Sequence, residues 1–139
     1  MLGHVGRFDV RKNHERLLEI FAAFLQLEPR AMLVLIGTGR LEQAVRAQAQ
    51  TLGITDHILF AGLQSNVTDW YQMMDLFVMP SRFEGLPVVG IEAQAAGWVR
   101  IFGRSAGGGA AFFPCHPDPA FRQQCRLGSR LAADAAAAL

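Results

Sequence analysis

Apolar and polar residues follow two distinct periods along the first two thirds of the chain. Residues 32–36 form a continuous apolar run, which is typical of a strand buried on both faces of a sheet. Between residues 13 and 27, large apolar side chains instead recur at helical spacing, and Pro29 ends that pattern. Asn13 precedes this segment, where an asparagine can cap a helix. The pattern therefore predicts a helix followed by a buried strand.

The same two patterns predict three further strands and three further helices. The strands are expected at residues 4–8, 57–61 and 76–79, and the helices at residues 41–52, from Asn66 or Thr68 to residue 74, and at residues 87–96. A strand followed by a helix thus occurs four times, with short connections. Crossover connections of this kind join parallel strands. The predicted fold class is α/β, with a doubly wound parallel sheet.

Composition divides the chain after residue 97. Residues 1–97 contain 8 Lys+Arg and 10 Asp+Glu, a net charge of −2, and residues 98–139 contain 5 and 2, a net charge of +3, which together make +1. The second part is rich in alanine, glycine and proline and has one valine and one isoleucine, so it favours neither strands nor long helices. We therefore predict a patterned domain over residues 1–97 and an irregular tail over residues 98–139.

The overall composition excludes several classes of protein. With 51% apolar and 18% charged residues the chain is not disordered, and a net charge of +1 does not fit a nucleic-acid-binding protein. The longest apolar run, residues 31–36, is shorter than the roughly 20 residues that span a bilayer, and no secretory signal is expected. Two cysteines, Cys115 and Cys125, support neither a disulfide scaffold nor a zinc site, and no two histidines share metal-ligand spacing on one element. We expect a cytoplasmic domain without a metal.

Doubly wound sheets bind ligands at the carboxyl ends of their strands, so the residues after each predicted strand are the functional candidates. Arg7 and Lys12 follow the first strand, and two cations five residues apart can hold a diphosphate, the alternative being ordinary solvated charge. Gly37-Thr38-Gly39 follows the second strand but lacks the other residues of a dinucleotide fingerprint or a P-loop. It indicates a tight turn, or a close approach of the backbone to a ligand.

The loop before the last predicted helix carries more specific chemistry. Gly85 lets the backbone approach a ligand, and Pro87 starts a helix whose unpaired N–H groups and dipole favour an anion. Glu84 can accept hydrogen bonds from sugar hydroxyls or stabilise positive charge at an anomeric carbon, or it can merely complement the helix dipole. Glu92 follows after just over two helical turns, where it can bind ribose hydroxyls or face solvent.

These segments, taken in order, resemble one family of enzymes. They are GHVGRF at 3–8, KNH at 12–14, GTG at 37–39, FAG at 60–62, Asp75 with Pro80-Ser81, EGLP at 84–87 and EAQAAG at 92–97. The series resembles the C-terminal, donor-binding domain of retaining GT-B glycosyltransferases of family 4, also called glycosyl transferases group 1. It is most similar to the branch that builds bacterial capsular polysaccharides and exopolysaccharides. The resemblance covers residues 3–97 and implies a Rossmann-like sheet.

The resemblance also implies roles for particular residues. Arg7 and Lys12 would neutralise the donor diphosphate and Glu84 would face the donor sugar, which makes these three the expected catalytic residues. Glu92 would bind the ribose of the nucleotide. The remaining contacts to sugar, phosphate and base would come from Gly85, Leu86, Pro87, Gly62 and Leu63. The reaction would transfer a hexose from a nucleoside diphosphate sugar to a polysaccharide or lipid-linked acceptor, with retention of configuration and without a cofactor or required metal.

Departures from the family pattern predict an incomplete enzyme. The family has an N-terminal acceptor domain that the resemblance does not cover, so we expect no turnover by this chain alone. After residue 97 the family continues with two more strands, whereas this chain continues with WVRIFGR. A one-base shift in a back-translation of that segment reads Cys-Val-Ser-Ser-Asp, which is closer to the family, so we hypothesise that residues 98–139 are translated out of frame. A sheet without its last strands would expose apolar surface near residues 77–79 and on the helix at residues 88–96, and would favour self-association through the exposed sheet edge.

Two alternative functions follow from the same resemblance. The chain could be a module that binds a nucleotide sugar without transferring it, or part of a nucleotide-sugar 2-epimerase of the GT-B type. The pair Glu84 and Glu92 favours the transferase.

Overall fold

The computed structural model describes residues 1–82, 88–95, 101–104 and 110–112. Within these residues six strands form one sheet in the order β3-β2-β1-β4-β5-β6. The strands are β1 (Leu2–Val5), β2 (Leu33–Ile36), β3 (Ile58–Gly62), β4 (Leu76–Met79), β5 (Ile101–Arg104) and β6 (Ala110–Phe112), and the helices are α1 (His14–Leu25), α2 (Glu42–Thr51), α3 (Val67–Met73) and α4 (Val88–Ala95). Strands β1 to β5 are parallel and β6 is antiparallel to β5. The predicted α/β doubly wound, Rossmann-like sheet is confirmed.

Strand β2 is buried on both faces of the sheet, as its continuous apolar run predicts. Leu33 and Leu35 join the core on the side of α1 and α2, whereas Val34 and Ile36 join the core on the side of α3 and α4. Successive side chains of a strand point to opposite faces, so both phases of β2 must be apolar. Helix α1 contributes five fully or nearly buried apolar side chains at helical spacing to the first core: Leu17, Leu18, Phe21, Phe24 and Leu25.

The first strand lies earlier in the chain than its pattern predicts. Residues 4–8 were expected to form it, but β1 is Leu2–Val5 and pairs with β2 from Leu2 to Val5. Phe8 is apolar for another reason, since it leaves the strand and is still 1% exposed within the core beside α1. An apolar residue in a loop that folds back onto the core has the same local signature as a strand residue.

Within the predicted irregular tail, residues 101–104 and 110–112 form strands β5 and β6. Strand β5 pairs in parallel with β4, so β4 is an inner strand of the sheet. Phe77, Val78 and Met79 are buried, so the predicted exposure is wrong at these residues, whereas Val88 and Ile91 of α4 are 54% and 49% exposed. A low strand propensity is only weak evidence against a strand, because hydrogen-bonded pairing with an existing sheet edge can outweigh it.

Candidate functional site

The candidate site lies at the carboxyl edge of the sheet, between β1 and β4. The direction of the strand order reverses there, because β2 and β3 lie on one side of β1 while β4 and β5 lie on the other. The helices that follow β1 and β4 pack on opposite faces of the sheet, and doubly wound sheets bind ligands at such a switch point; we call this part of the carboxyl edge the crevice. The loop of residues 6–13, which we call the β1–α1 loop, borders this crevice and carries Arg7 and Lys12.

An aspartate turn shapes the β1–α1 loop. Asp9 Oδ1 accepts hydrogen bonds from the backbone N–H groups of Arg11 at 3.0 Å and Lys12 at 3.2 Å, and the Arg11 guanidinium lies 3.3 Å from Asp9 Oδ2. The pKa of Asp9 is lowered. Partial burial is the largest single influence and raises this pKa, but the hydrogen bonds and the charge of Arg11 together outweigh it. Arg7 is exposed and Lys12 is half-buried. The Asp9 carboxylate thus accepts hydrogen bonds from the backbone of its own loop, which also carries the cations Arg7, Arg11 and Lys12.

The two glycines after β2 allow its loop to pack directly on the β1–α1 loop. Gly37 has a φ of 132°, and a Cβ there would lie 2.2 Å from the carbonyl oxygen of Gly6. A Cβ on Gly39 would lie 2.5 Å from the carbonyl oxygen of Phe8. Backbone hydrogen bonds join the loops, including one from Phe8 N to Thr38 O at 3.1 Å. Gly37 and Gly39 therefore do more than form the expected tight turn. Because they have no side chain, they let the two loops pack closely, which determines the position of the β1–α1 loop.

Asn13 connects the loop after β1 to the loop after β4. It occupies the position before α1, as predicted, but its side chain makes no capping hydrogen bond, and its backbone is left-handed with a φ of 55°. Its Nδ2 donates to the carbonyl oxygen of Pro80 at 3.2 Å, and its Oδ1 accepts from Nε of Arg82 at 3.4 Å. Arg82 N also donates to Arg11 O at 2.8 Å. The asparagine therefore positions the two sides of the crevice relative to each other rather than capping the helix.

Two buried histidines lie beneath the β1–α1 loop. His4 is fully buried and its Nδ1 is 2.7 Å from Val78 O. The ring of His14, in the first turn of α1, stacks on Phe8 at 4.2 Å and meets His4 edge-on at 4.8 Å. Burial lowers the pKa of His14 to about 3, and the charges of His4 and Lys12 act in the same direction, against Asp9. Both rings are therefore part of the packed interior beside the β1–α1 loop.

Helix α4 carries Glu92, and a tyrosine from α3 contacts it. Glu92 is exposed, and its Oε2 accepts a hydrogen bond from the hydroxyl of Tyr71 at 3.1 Å. Tyr71 itself is 1% exposed and its ring packs edge-on against Phe77 of β4. Burial, and then the adjacent carboxylate, raise the pKa of Tyr71 well above its ordinary value. The phenol therefore stays protonated and is the donor in this bond.

The end of β3 supplies the third part of the carboxyl edge. Gly62 has a φ of 66° and its carbonyl oxygen accepts a hydrogen bond from Gly37 N at 2.8 Å, which ties this end to the loop after β2. Leu63 follows and is 77% exposed. Gln64 anchors the turn, because its Nε2 donates to Ala61 O at 2.6 Å and its Oε1 accepts from Nε1 of Trp70 at 3.2 Å. Leu63 is thus an exposed apolar side chain on a turn that the hydrogen bonds of Gln64 stabilise.

Four predicted site residues lie outside the described residues: Glu84, Gly85, Leu86 and Pro87. Cys115 and Cys125 lie outside them as well. Of the remaining predicted residues, Arg7, Lys12 and Leu63 lie on loops at the carboxyl edge of the sheet, Gly62 ends β3 at the same edge, and Glu92 lies on α4. In the described part of the chain, no three His, Cys, Asp or Glu side chains group as metal ligands. The helices described there are also too short or too polar to cross a bilayer.

Sequence reasoning missed two residues of this region, Asn13 as a connection between loops and Tyr71 as a partner of Glu92. The contacts of Asn13 lie 67 and 69 residues away, and that of Tyr71 lies 21 residues away. A single signal was available for each. Asn13 tolerates a left-handed backbone better than most residues, and Tyr71 is the one tyrosine of the sequence.

Comparison with known proteins identifies relatives of the whole described region. The family model of glycosyl transferases group 1 matches residues 1–113. The chain is 41% identical over 112 residues to the Vi polysaccharide biosynthesis protein VipC/TviE of Salmonella typhi, and 40% identical over 97 residues to the putative glycosyltransferase EpsF of Bacillus subtilis. These alignments cover 81% and 70% of this chain but 19% and 25% of the relatives, so the chain spans a quarter or less of their length.

Solved structures agree with the sequence comparison. HepE of Anabaena in complex with UDP superposes with a TM-score of 0.68 at 23% identity, over 77% of this chain and 30% of that one. WaaG, a glycosyltransferase involved in lipopolysaccharide biosynthesis, gives 0.68 at 25% identity, over 75% and 28%. The fold is that of GT-B glycosyltransferases. The family match also passes residue 97, where the sequence predicted the resemblance to end. The ordered motifs, the strand order and the family match agree, and this chain belongs to the glycosyl transferases group 1 family.

Proposed function

We propose that this chain is the donor-binding part of a retaining glycosyltransferase that transfers a hexose from a nucleoside diphosphate sugar to a polysaccharide or lipid-linked acceptor. Its family carries out glycosyl transfer, and the relatives VipC/TviE and EpsF are named for polysaccharide biosynthesis and glycosyl transfer. HepE, which shares the fold, binds UDP. A nucleoside diphosphate is therefore the ligand to test first.

The observation that carries this proposal is the arrangement of charge around the crevice. Arg7 and Lys12 lie on the β1–α1 loop at the switch point of the strand order, and Asp9 in the same loop is engaged by backbone N–H groups. The local charge is thus positive, which suits a diphosphate. Glu92 brings a carboxylate on a neighbouring helix, and a carboxylate is a natural acceptor for sugar hydroxyls.

We assign the donor contacts accordingly. Arg7 and Lys12 neutralise the diphosphate and the charge that develops on it as the leaving group, which a metal would otherwise do. Glu92 accepts from the ribose, and the exposed turn at Gly62 and Leu63 receives the base. By resemblance, Glu84 faces the donor sugar, and the backbone of Gly85, Leu86 and Pro87 contacts sugar and phosphate.

Calorimetric titration of the full 139-residue chain with UDP and with GDP tests this proposal. Arg7→Ala and Lys12→Ala should each weaken the binding of the preferred nucleotide about tenfold, since each removes one charge-assisted contact. Added salt should weaken the wild-type affinity, because exposed charges are screened. Arg30→Ala is the matched control: Arg30 is 91% exposed and lies between α1 and β2, at the opposite edge of the sheet.

Equal effects of Arg7→Ala and Arg30→Ala would contradict the proposed diphosphate site. So would binding of uridine with the same affinity as UDP, because a nucleoside lacks the groups that the cations are proposed to hold. Glu92→Ala should weaken binding of the nucleotide and leave the affinity for pyrophosphate unchanged, which separates the ribose contact from the diphosphate contact.

We further propose that transfer requires an acceptor-binding part outside these 139 residues. The chain spans 19% to 25% of its relatives' length, and transfer needs donor and acceptor to be held together. Incubation of the chain with a radiolabelled nucleotide sugar should show binding without release of the sugar. Rapid hydrolysis or transfer by the chain alone would contradict this. A module that binds nucleotide sugars without any transfer is distinguished by the same assay on the longest native product of the gene.

The hypothesis of a frame change after residue 97 remains a prediction about the gene. Strands β5 and β6 and the family match extend beyond that residue, which argues for in-frame sequence at least to residue 113. Sequencing the DNA for residues 95–139 and its flanks tests it. A family-like continuation in another frame would support the hypothesis, and an uninterrupted frame on repeated reads would end it.

A further inference from the structure

Tyr71 is held in place by the core on the α3 and α4 side of the sheet. It is 1% exposed, and its ring meets the ring of Phe77 at 5.6 Å with an interplanar angle of 78°. The same cluster contains Ala93 of α4, the residue next to Glu92. Because Phe77 belongs to β4, an inner strand, the phenol hydroxyl has a defined position relative to the sheet.

The hydroxyl of Tyr71 uses that position to hold Glu92. Its O–H donates to Glu92 Oε2 at 3.1 Å, although Glu92 itself is exposed on α4. An exposed glutamate on a helix samples several rotamers, and fixing it has an entropic cost that is among the largest of any side chain. A fixed donor in the core reduces that cost before any ligand arrives, which is the principle of preorganisation.

The bond to Tyr71 leaves the carboxylate with capacity for a ligand. An ionised carboxylate has two oxygens and about four lone-pair positions, and it only accepts hydrogen bonds. Its remaining positions suit a pair of hydroxyl donors, such as the adjacent 2′- and 3′-hydroxyls of a ribose. A hydroxyl pair presents two donors in a fixed relation, so the orientation of the carboxylate determines whether both can bind.

We propose that Tyr71 is a positioning residue for the nucleotide: by holding Glu92 Oε2, it orients the carboxylate to accept both ribose hydroxyls and so favours ribonucleotides over deoxynucleotides. This inference rests on the proposed function, in which Glu92 binds the ribose. It adds a residue outside the loops of the crevice, and it predicts that the contribution of Tyr71 exists only when the ligand has ribose hydroxyls.

The test uses the full chain, with UDP and 2′,3′-dideoxyuridine diphosphate as ligands in calorimetry. Tyr71→Phe keeps the ring against Phe77 and removes only the hydroxyl. It should weaken UDP binding about fivefold and leave the affinity for the dideoxy ligand unchanged. Glu92→Gln should also weaken UDP binding selectively, and Tyr71→Phe should cause no further loss in the Glu92→Gln background, because interacting residues are not additive.

A matched control removes a hydrogen bond from the same helix without touching Glu92. Asn66 donates to Asp69 at 2.9 Å on the exposed side at the start of α3, so Asn66→Ala should bind both ligands as the wild type does. Side-chain J couplings of Glu92 in the free protein provide a readout without ligand. They should show one dominant rotamer in the wild type and averaged rotamers in Tyr71→Phe.

Several results would overturn the inference, and they differ from failure of the proposed function. Equal loss of affinity for UDP and the dideoxy ligand would assign Tyr71 a merely structural role. Unchanged UDP affinity in Tyr71→Phe, or losses that add in the double variant, would remove the positioning role while the donor site stands. Absence of UDP and GDP binding by the folded wild-type chain would overturn the donor site itself, and the positioning role with it.

Discussion

Acidification should destabilise this protein through His14. The side chain is 3% exposed, its ring stacks on Phe8, and neither ring nitrogen has a hydrogen-bond partner among the described residues. Burial, with help from the charge of His4, lowers its pKa to about 3 from the ordinary 6.5. The folded protein therefore holds this histidine neutral at any pH at which the unfolded chain begins to protonate it.

The sign and size of the effect follow from proton linkage. Between pH 6.5 and about 3 the unfolded state binds a proton at His14 that the folded state does not bind, so the stability contributed by neutral His14 is complete above pH 6.5 and declines as the pH falls. One pH unit corresponds to about 1.4 kcal/mol for one such group. At pH 5, about 1.5 units below the unfolded pKa, the expected loss from His14 is about 2 kcal/mol.

Urea unfolding of the wild type and of His14→Phe at pH 7 and pH 5 measures this contribution. Phenylalanine keeps an aromatic ring on Phe8 and cannot be protonated, so the variant should lose about 2 kcal/mol less than the wild type between the two pH values. Repeating the series in 0.5 M salt separates this burial effect from exposed charges, because salt screens exposed charges much more than buried ones. Identical pH dependence in the two proteins would refute the reasoning.

Three further substitutions test how the crevice and the core are held. Gly39→Ala should lower the free energy of unfolding by at least about 2 kcal/mol, because the new Cβ would lie 2.5 Å from the carbonyl oxygen of Phe8. Thr38 is an exposed neighbour, and Thr38→Ala should cost little in the same urea assay. Equal costs for the two substitutions would contradict the packing role of Gly39. Asn13→Gly keeps the left-handed backbone and removes the amide, so it should lower stability by about 1 kcal/mol and weaken nucleotide binding by calorimetry; unchanged affinity would show that the loops do not depend on this connection. Phe21→Ala should cost about 3–5 kcal/mol by thermal or urea unfolding, since the side chain is fully buried, and the 63% exposed Leu27→Ala should cost under about 0.5 kcal/mol; a small loss at Phe21 would mean that the core around α1 is not packed as described.

Local sequence pattern determined those elements whose burial it encodes directly. The apolar run at residues 32–36 contains β2, whose two faces belong to two cores, and the helical spacing of apolar residues after Asn13 corresponds to α1. Alternation of such segments was enough to identify the doubly wound class and, with it, the carboxyl edge where Arg7 and Lys12 lie. These features depend on the spacing of apolar residues within one short segment, which can be read from the sequence of that segment alone.

The tertiary structure alone decided the features that join distant segments. Phe8 is apolar because it folds back onto the core from a loop, Asn13 meets residues 67 and 69 positions away, and Tyr71 reaches Glu92 on another helix. Strand β5 exists because the edge of β4 is there to pair with it, in a segment whose composition is poor for strands. A short sequence segment shows the secondary-structure propensity of its own residues and which of them are apolar. Which distant residue each one contacts is decided by the packing of the whole chain. In this protein such long-range contacts hold the candidate site together.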